Sequence, residues 1–183
     1  MGAAEDILKD GDEKMKKTVG VTETALGGLR TGRASPGLVE NLRIDYYGST
    51  MPLKQLAAIS TPDAKTIEIR PWDKNAIQPI EKGIATSELK LAPQRQGDVI
   101  RLIIPPLTNE RRQDMIKLAK KTAEEGRVSV RNVRQETNNK LKAAKLPEDE
   151  VKRAQAAVQK LTDQAIATLD ALVARKETEI STV

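Results

Sequence analysis

The sequence predicts an α+β protein in which a small β/α/β domain is inserted into an elongated three-helix bundle. Three long segments repeat apolar or small residues at spacings of three and four, which is typical of helices packed in a bundle. Between the first two, residues 31–105 contain seven prolines and short runs of alternating apolar and polar residues, which favour strands. We therefore predict a discontinuous bundle domain, residues 1–30 and 106–183, around an inserted domain of residues 31–105.

Each of the three helices is predicted from a different sequence signal. The first covers residues 3–29, where a seven-residue repeat predicts the buried face. The second covers residues 109–145 and has a seam of small residues, which permits close approach of neighbouring helices. The third begins at Pro147, because proline suits the first helical position and acidic residues favour the first turn. The repeat positions of the first helix are Ala4, Leu8, Gly11, Met15, Thr18, Thr22, Ala25 and Leu29.

The inserted segment shows three strand signatures and one short helix. Alternation predicts strands near residues 42–46, 67–69 and 100–104, and Ile77, Ile80 and Ile84 fit one face of a helix between them. The chain enters and leaves this segment through residues that break regular structure, so we predict a hinge that lets two rigid domains rotate. The hinge residues are Gly32, Arg33, Ala34, Ser35, Pro36, Gly37, Pro105 and Pro106.

Composition excludes most catalytic chemistries. The 183 residues contain no Cys and no His, which excludes disulfides, thiolate or imidazole metal sites and Ser-His-Asp catalysis. No phosphate-binding glycine loop is present. The charged start of the chain has no apolar signal core, and charges interrupt every apolar stretch. We expect a cytosolic protein that binds no membrane, with no catalytic residues and no metal site.

The positive charge is concentrated in one segment. The chain has a net charge of +5, while residues 106–146 alone carry 11 basic and 5 acidic residues. A localised positive field favours an anionic partner such as nucleic acid.

Three arginines of the second helix form the candidate binding face. Arg127, Arg131 and Arg134 follow at spacings of four and three, and Lys120 lies one heptad earlier. The planar guanidinium group suits phosphate because it donates two parallel hydrogen bonds. The alternative is salt bridging to acids of the bundle, including those that follow Pro147, and spacing alone leaves the two interpretations even. Four further arginines near the domain crossings are placed to extend the patch: Arg30, Arg33, Arg111 and Arg112.

The chain has only three aromatic residues, Tyr46, Tyr47 and Trp72. We predict that they pack in the core or the turns of the small domain. Without an exposed aromatic platform, contact with nucleic acid would involve mainly phosphate and shape.

Five segments in this order resemble the ribosome recycling factor family, and the resemblance covers nearly the whole chain. The sequence departs at Asn109, where many members have an acid, and at Gln135, where many have a basic residue. The matching segments are Arg30-Thr31-Gly32-Arg33-Ala34-Ser35-Pro36, Tyr46-Tyr47-Gly48, Pro105-Pro106-Leu107-Thr108 with Glu110-Arg111-Arg112, Arg127-Val128-Ser129-Val130-Arg131-Asn132-Val133-Arg134 and Val158-Gln159-Lys160-Leu161-Thr162-Asp163.

The resemblance implies an L-shaped protein that binds the bacterial-type ribosome after termination. There it would act with elongation factor G, which supplies GTP hydrolysis, to split the subunits and free the messenger and the deacylated transfer RNA. The bundle is expected to lie against large-subunit ribosomal RNA through the arginine face. The family binds no nucleotide itself, so we expect no cofactor, and we expect a monomer.

Two other functions remain as alternatives. A helical bundle can act as a protein–protein interaction module without an RNA role, and its binding would then tolerate high salt. An enzyme using carboxylates or lysine in the small domain would need a cleft with strongly shifted ionisable groups, and no such pair is evident in residues 31–105.

Overall fold

The computed structural model describes residues 2–182, and the chain forms two compact units. The first runs to Leu26 and resumes from Ile116 to Glu179, and the second comprises Gly27 to Met115 with the few residues after Glu179. Long helices together with a sheet confirm the predicted α+β class. The predicted domain limits, after residues 30 and 105, stay a prediction, and residues 1 and 183 of the predicted bundle domain lie outside the described residues.

Three long helices supply the first unit. Acidic residues in the first turn of each helix favour the positive end of the helix dipole. The second and third helices are joined by a short turn in which Lys145 has a positive φ, 53°. The helices are α1 (Ala3–Gly27), α3 (Asn109–Ala143) and α4 (Glu148–Ser181).

The core of the bundle follows the predicted seams, with one change of register. Ala4, Gly11, Met15 and Thr22 are buried as the seven-residue repeat predicts. Ala25 is exposed, however, and Leu26 takes the buried position instead. An α-helix turns by 3.6 residues, so a strict seven-residue repeat drifts by about 20° per heptad. After three heptads the drift has moved the contact by one residue.

Two glycines allow α1 and α3 to approach closely. A Cβ atom on Gly126 would lie 2.6 Å from Oγ1 of Thr22, and a Cβ atom on Gly11 would lie 2.7 Å from Oγ1 of Thr137. Both threonine hydroxyls donate to a carbonyl one turn earlier in their own helix, so they are satisfied although buried. The contact therefore pairs a glycine of one helix with a threonine of the other, once in each direction.

A group of four charges joins α1 to α3 at the surface. Nζ of Lys140 lies 2.9 Å from Asp10 and 3.2 Å from Glu136, and Nζ of Lys14 lies 2.6 Å from Glu136. The hydrogen bond to Asp10, followed by that to Glu136, raises the pKa of Lys140 above its usual value. Because these side chains are substantially exposed, each pair contributes little stability.

The second compact unit holds the predicted small domain, and we call it the small unit. It contains a two-stranded ribbon and a four-stranded antiparallel sheet. The ribbon pairs Arg43 with Pro52 and Tyr46 with Ser49. The elements are β1 (Arg43–Tyr46), β2 (Ser49–Pro52), β3 (Ala57–Asp63), β4 (Thr66–Pro71), α2 (Ile77–Ala85), β5 (Gln94–Gln96) and β6 (Val99–Ile103). The ribbon consists of β1 and β2, and the sheet has the strand order β3-β4-β6-β5.

Isoleucines dominate the core of this unit. Ile67 and Ile69 of β4 and Ile100 of β6 are fully buried, as alternation predicts. Helix α2 covers the core with Ile77, Ile80 and Ile84, and Gly83 of the same helix accommodates the Ile44 side chain, which would clash with a Cβ atom there. Glu68 is also buried, where Nη2 of Arg70 and Nη2 of Arg101 lie 2.6 Å and 3.5 Å from its two carboxylate oxygens.

Two of the three aromatic residues lie outside the core, where the sequence had predicted packing either in the core or in the turns. Tyr47 is 77% exposed and Trp72 is 69% exposed, so neither packs in a core. Tyr47 and Gly48 form the turn between β1 and β2 with positive φ angles of 48° and 76°, and the Tyr47 ring lies edge-on to that of Tyr46. Only Tyr46 is partly buried, and it packs against the core of the small unit.

The Tyr46 hydroxyl donates a hydrogen bond to the Asp73 carboxylate. This bond raises the pKa of Tyr46 to about 12, and it lowers the pKa of Asp73 below its usual value. The bond connects the ribbon to the segment between β4 and α2.

Among residues 2–182, none of the helices combines the length and the apolar character that a membrane crossing requires.

The glycine contacts predict opposite effects for two alanine substitutions. Gly126→Ala should lower the free energy of unfolding by about 1–2 kcal/mol, because steric overlap with Thr22 outweighs the gain in helix propensity. Gly20→Ala is the matched control: its Cβ would meet nothing within 4 Å, so it should stabilise α1 by about 0.5–1 kcal/mol. Urea unfolding followed by circular dichroism measures both. Equal stabilisation by the two changes would contradict the close approach.

The Tyr46–Asp73 bond predicts a tyrosine that titrates late. Its folded-state pKa lies above the ordinary value of about 10, so the stability it contributes is present below pH ~10 and is lost as pH rises through about 12. Absorbance at 295 nm should show a component that titrates near pH 12. Asp73→Asn should move it towards 10, while Asp98→Asn should leave it in place. If Asp73→Asn left the titration unchanged, the hydrogen bond to Asp73 would not be the cause of the raised pKa of Tyr46.

Candidate nucleic-acid interface

The three predicted arginines share one face of α3. Successive residues of a helix are rotated by 100°, so Arg127, Arg131 and Arg134 spread over about 60°. Gly126 and Val130 lie beside this face and are buried against the rest of the bundle. The seam therefore fixes which way the arginines point.

Arg127 forms salt bridges within the bundle. Its Nη2 lies 2.6 Å from Oδ1 of Asp170 on α4, and its Nη1 lies 3.0 Å from Glu124. Nε also donates to Asp170, at 2.8 Å. The hydrogen bond with Asp170 raises the pKa of Arg127 above its usual value, and the side chain is only 21% exposed. Arg127 thus follows the alternative interpretation, in which the arginines form salt bridges with acids of the bundle. Its partners are Asp170 and Glu124, and not the acids that follow Pro147.

Arg131 is held far less tightly. Its Nη1 lies 3.5 Å from Oε1 of Glu124, and the side chain is 48% exposed. Glu124 thus has one oxygen near each of two arginines. An exposed pair at this distance contributes little, so the Arg131 guanidinium can exchange Glu124 for another anion at small cost.

Arg134 has no salt bridge to any of residues 2–182, and its side chain is partly exposed. Asn138 lies one turn further along α3, with a buried Oδ1 that accepts no hydrogen bond from the described residues. At the other end of the face, Nζ of Lys120 lies 3.7 Å from Glu177 of α4 and remains mostly exposed.

The other four predicted arginines belong to the second compact unit. Arg33 and Arg111 are exposed, and Arg30 is half-buried. Arg112 lies in the first turn of α3, where its Nη1 donates to Asn109 at 3.5 Å and its buried Nε has no partner among residues 2–182. The structure therefore groups the predicted basic residues into two sets, one in each unit.

The first predicted hinge segment adopts a defined conformation. Gly32 has a φ of 82°, and a Cβ atom there would lie 3.3 Å from the backbone nitrogen of Leu107. Glycine suits this position because it tolerates the positive φ and because Leu107 packs closely against it. Thr31 is buried and its Oγ1 accepts a hydrogen bond from the Arg33 N–H at 3.3 Å, while Ser35 is half-buried.

The remaining hinge residues are built into the small unit. The N–H of Ala34 donates to the carbonyl of Ala64 at 2.7 Å. Pro36–Leu38 forms a 3₁₀ turn, in which a Cβ atom on Gly37 would lie 2.6 Å from the Gly27 carbonyl oxygen. Close packing thus explains Gly37.

In the second predicted hinge segment, Pro105 and Pro106 are exposed. They follow Ile104, whose N–H donates to the carbonyl of Lys65 at 2.7 Å. The two prolines thus begin directly after the last fixed residue of the sheet.

Sequence reasoning missed the acids that pair with the arginine face. Asp170 and Glu177 are spaced by seven residues on α4, as are Lys120 and Arg127 on α3, which is the pattern of two helices running alongside each other. Lys176 was also missed: its Nζ lies 3.6 Å from Glu179, the residue is buried, and burial lowers its pKa.

Within residues 2–182 no group of three acidic side chains is placed to hold a metal ion.

Comparison with known proteins gives a consistent result along the whole chain. The family model "Ribosome recycling factor" matches residues 22–180. The ribosome-recycling factor of Carboxydothermus hydrogenoformans is 46% identical over 98% of this chain and 99% of its own length. That of Cyanothece sp. is 49% identical over 96% of this chain and 99% of its own length.

Solved structures give the same answer. A solution structure of the ribosome recycling factor superposes with a TM-score of 0.79, at 46% identity and with complete coverage of both chains. A second match has a TM-score of 0.69 and 44% identity, and it covers 98% of this chain and 99% of that one. It belongs to models of the T. thermophilus ribosome recycling factor and the E. coli elongation factor G bound to the E. coli post-termination complex. This chain therefore belongs to the ribosome recycling factor family.

Proposed function

We propose that this protein binds the post-termination ribosome and, together with elongation factor G, promotes splitting of the subunits and release of messenger and deacylated transfer RNA. The observation that supports this most strongly is family membership across nearly the whole chain, at 46% identity or more to relatives of the same length. The protein supplies no catalytic chemistry of its own, since elongation factor G hydrolyses the GTP. It acts in the cytoplasm as a monomer.

The bundle attaches through Arg131 and Arg134, with Lys120 at the edge of the contact. Arg131 is exposed and Arg134 partly exposed, and no strong internal ion pair occupies either guanidinium group. Arg127 has a different role, because its bonds to Asp170 and Glu124 hold α3 against α4 and keep the face in shape. Arg30, Arg33, Arg111 and Arg112 form a second basic set that contributes contacts from the other unit.

The ligand of this face is the phosphate backbone of large-subunit ribosomal RNA. Helix α3 contains no aromatic residue, so the face has no platform on which bases could stack. Guanidinium groups spaced along a helix instead suit successive phosphates, which they bind through paired hydrogen bonds.

The splitting step uses the two domains as rigid bodies, with limits after residues 30 and 105. Long helices packed along their length resist bending, so the bundle holds its position on the RNA. Elongation factor G displaces the small domain, and the two crossings transmit the displacement. Pro105 and Pro106 stiffen the second crossing, because proline fixes φ.

Loss of either free arginine should weaken ribosome binding without affecting the fold. Arg134→Ala and Arg131→Ala should each reduce the affinity for ribosomes by about five-fold, the value of an exposed charge-assisted contact of ~1 kcal/mol. The slope of log affinity against log salt should fall by about one. Pelleting assays across a salt series measure both quantities.

Two further variants serve as controls for the arginine prediction. Arg175→Ala removes an exposed arginine from α4, five residues beyond Asp170 and so on another face, and should leave binding unchanged. Arg127→Ala should instead lower the free energy of unfolding by about 1 kcal/mol. If Arg134→Ala melts the bundle and ribosome affinity is retained, the arginine face is structural.

Loosening the second crossing should slow splitting but not binding. The double substitution Pro105→Gly and Pro106→Gly frees two φ angles, so displacement of the small domain would be lost in the linker. We expect a several-fold slower rate of subunit splitting by light scattering, with unchanged ribosome affinity. Pro147→Gly, in the turn between α3 and α4, is the control and should leave the rate intact in folded protein. Full-speed splitting by the double variant would refute transmission through this crossing.

A further inference from the structure

Two basic residues of α3 pair with two acids of α4 in a regular register. Nζ of Lys120 lies 3.7 Å from Glu177, and Nη2 of Arg127 lies 2.6 Å from Asp170. The two basic residues are one heptad apart, and the two acids are one heptad apart in the opposite direction along the chain. Neighbouring helices that keep this register bring together one such pair in every heptad. We refer to this series as the α3–α4 charge ladder.

The next heptad supplies a third pair of opposite charge, which the structure leaves unformed. Arg134 lies seven residues after Arg127, and Asp163 lies seven residues before Asp170. Arg134 nevertheless forms no salt bridge with any acid in the described part of the chain. The register that closes the first two pairs is therefore not enough to close the third, and another contact keeps the two side chains apart.

Gln159 makes that contact. Its Nε2 donates a hydrogen bond to Oδ1 of Asp163 at 2.8 Å. The two residues are four positions apart on α4, a spacing at which glutamine and aspartate side chains interact along a helix. The bond therefore attaches the Asp163 carboxylate to the helix from which it comes, and α3 receives no partner for Arg134.

A buried acceptor on α3 is left unsatisfied beside this bond. Asn138 follows Arg134 by four residues, and Gln159 precedes Asp163 by four, so the ladder register places Asn138 opposite Gln159. Oδ1 of Asn138 is buried and accepts no hydrogen bond from residues 2–182. If the Gln159 amide bonded to Asn138 instead, Asp163 would be released to pair with Arg134 and both groups would be satisfied.

The observed arrangement therefore gives up two internal contacts and keeps one arginine available. An unsatisfied buried acceptor in a native structure requires an explanation, because it forgoes the hydrogen bond that folding usually supplies. Departures of this kind are expected where function competes with stability. Here the function is the binding of an external anion by Arg134.

We propose that Gln159 is a positioning residue for the RNA contact: its hold on Asp163 keeps Arg134 ready to bind a phosphate of large-subunit ribosomal RNA. Without the Gln159 amide, Asp163 pairs with Arg134 as Asp170 pairs with Arg127, and a phosphate must displace this internal partner. The inference deepens the proposed function and rests on it, because Arg134 belongs to the proposed contact. It adds two residues of α4 that act on the contact through Arg134.

Removal of the Gln159 amide should weaken ribosome binding. In Gln159→Ala, Asp163 is released to pair with Arg134, so the affinity for ribosomes should fall about three-fold, which is within the range of a partly exposed ion pair. The slope of log affinity against log salt should fall by up to about one, because an arginine that is already paired exchanges one anion for another. Pelleting assays across a salt series measure both quantities.

Asp163→Asn provides the rescue, because it removes the competing charge. The double variant with Gln159→Ala and Asp163→Asn should bind ribosomes at least as tightly as wild type. In protein that carries Arg134→Ala, Gln159→Ala should have no further effect on affinity. Gln164→Ala is the matched control: it makes the same change at an exposed position of α4, rotated by about 140° from Gln159, and should leave affinity unchanged.

The protein without ribosomes gives an independent measurement. The NMR resonance of the Arg134 Nε–H group, assigned with Arg134→Lys, should shift in Gln159→Ala and return when Asp163→Asn is added. The urea midpoint of Gln159→Ala should not fall, because a new ion pair replaces the lost hydrogen bond.

Four outcomes would overturn the proposal. An Arg134 resonance that stays in place in Gln159→Ala would show that Gln159 does not hold Asp163 away from it. Unchanged ribosome affinity in Gln159→Ala, where Arg134→Ala is harmful, would show that Asp163 does not compete with RNA. A binding defect that Asp163→Asn fails to rescue, accompanied by a lower urea midpoint, would make Gln159 a structural residue. An equal defect in Gln164→Ala would remove the specificity of the effect.

Failure of the proposed RNA contact gives a different result. Arg134→Ala would then leave ribosome affinity unchanged, while the Arg134 resonance of Gln159→Ala would still shift in the protein alone.

Discussion

The close approach of α1 and α3 is the constraint from which the binding face follows. Gly126 of α3 leaves space that Thr22 of α1 fills, and Gly11 of α1 leaves space that Thr137 of α3 fills. Because the seam is narrow and fixed, the rotation of α3 about its own axis is fixed too. The position of the arginines beside the seam therefore follows from the seam, and ion pairs add to it only at Arg127 and weakly at Arg131. A bundle with larger seam residues would have room to rotate, and its charged face would be less well defined.

Within that face, the acids divide the arginines by role. Asp170 and Glu124 both approach Arg127, while Glu124 reaches Arg131 only weakly and no acid of residues 2–182 bridges Arg134. Internal pairing thus falls off along α3 from Arg127 to Arg134. The same helix holds the bundle together at one end of the face and leaves cations available to an external anion at the other.

Regular patterns in the sequence were enough to predict the long helices, helix α2 and the isoleucine strands, because burial of one face leaves a clear period. Strands β2, β3 and β5 were missed, since they are short or carry proline and have mostly exposed side chains. The exposure of Tyr47 and Trp72 was missed because residue type predicts burial only on average. Asp170 was missed because spacing within one helix does not reveal its register with another.

The ion pairs between α1 and α3 join residues that are far apart in the sequence. Lys14 and Glu136, for example, are separated by 122 positions. During synthesis, α1 leaves the ribosome long before either of its partner helices exists. Its glycines make it a weak helix alone, so the nascent segment stays unfolded. The small unit is nearly continuous in sequence and can fold as soon as it emerges. The bundle therefore closes last, when translation of α4 is complete.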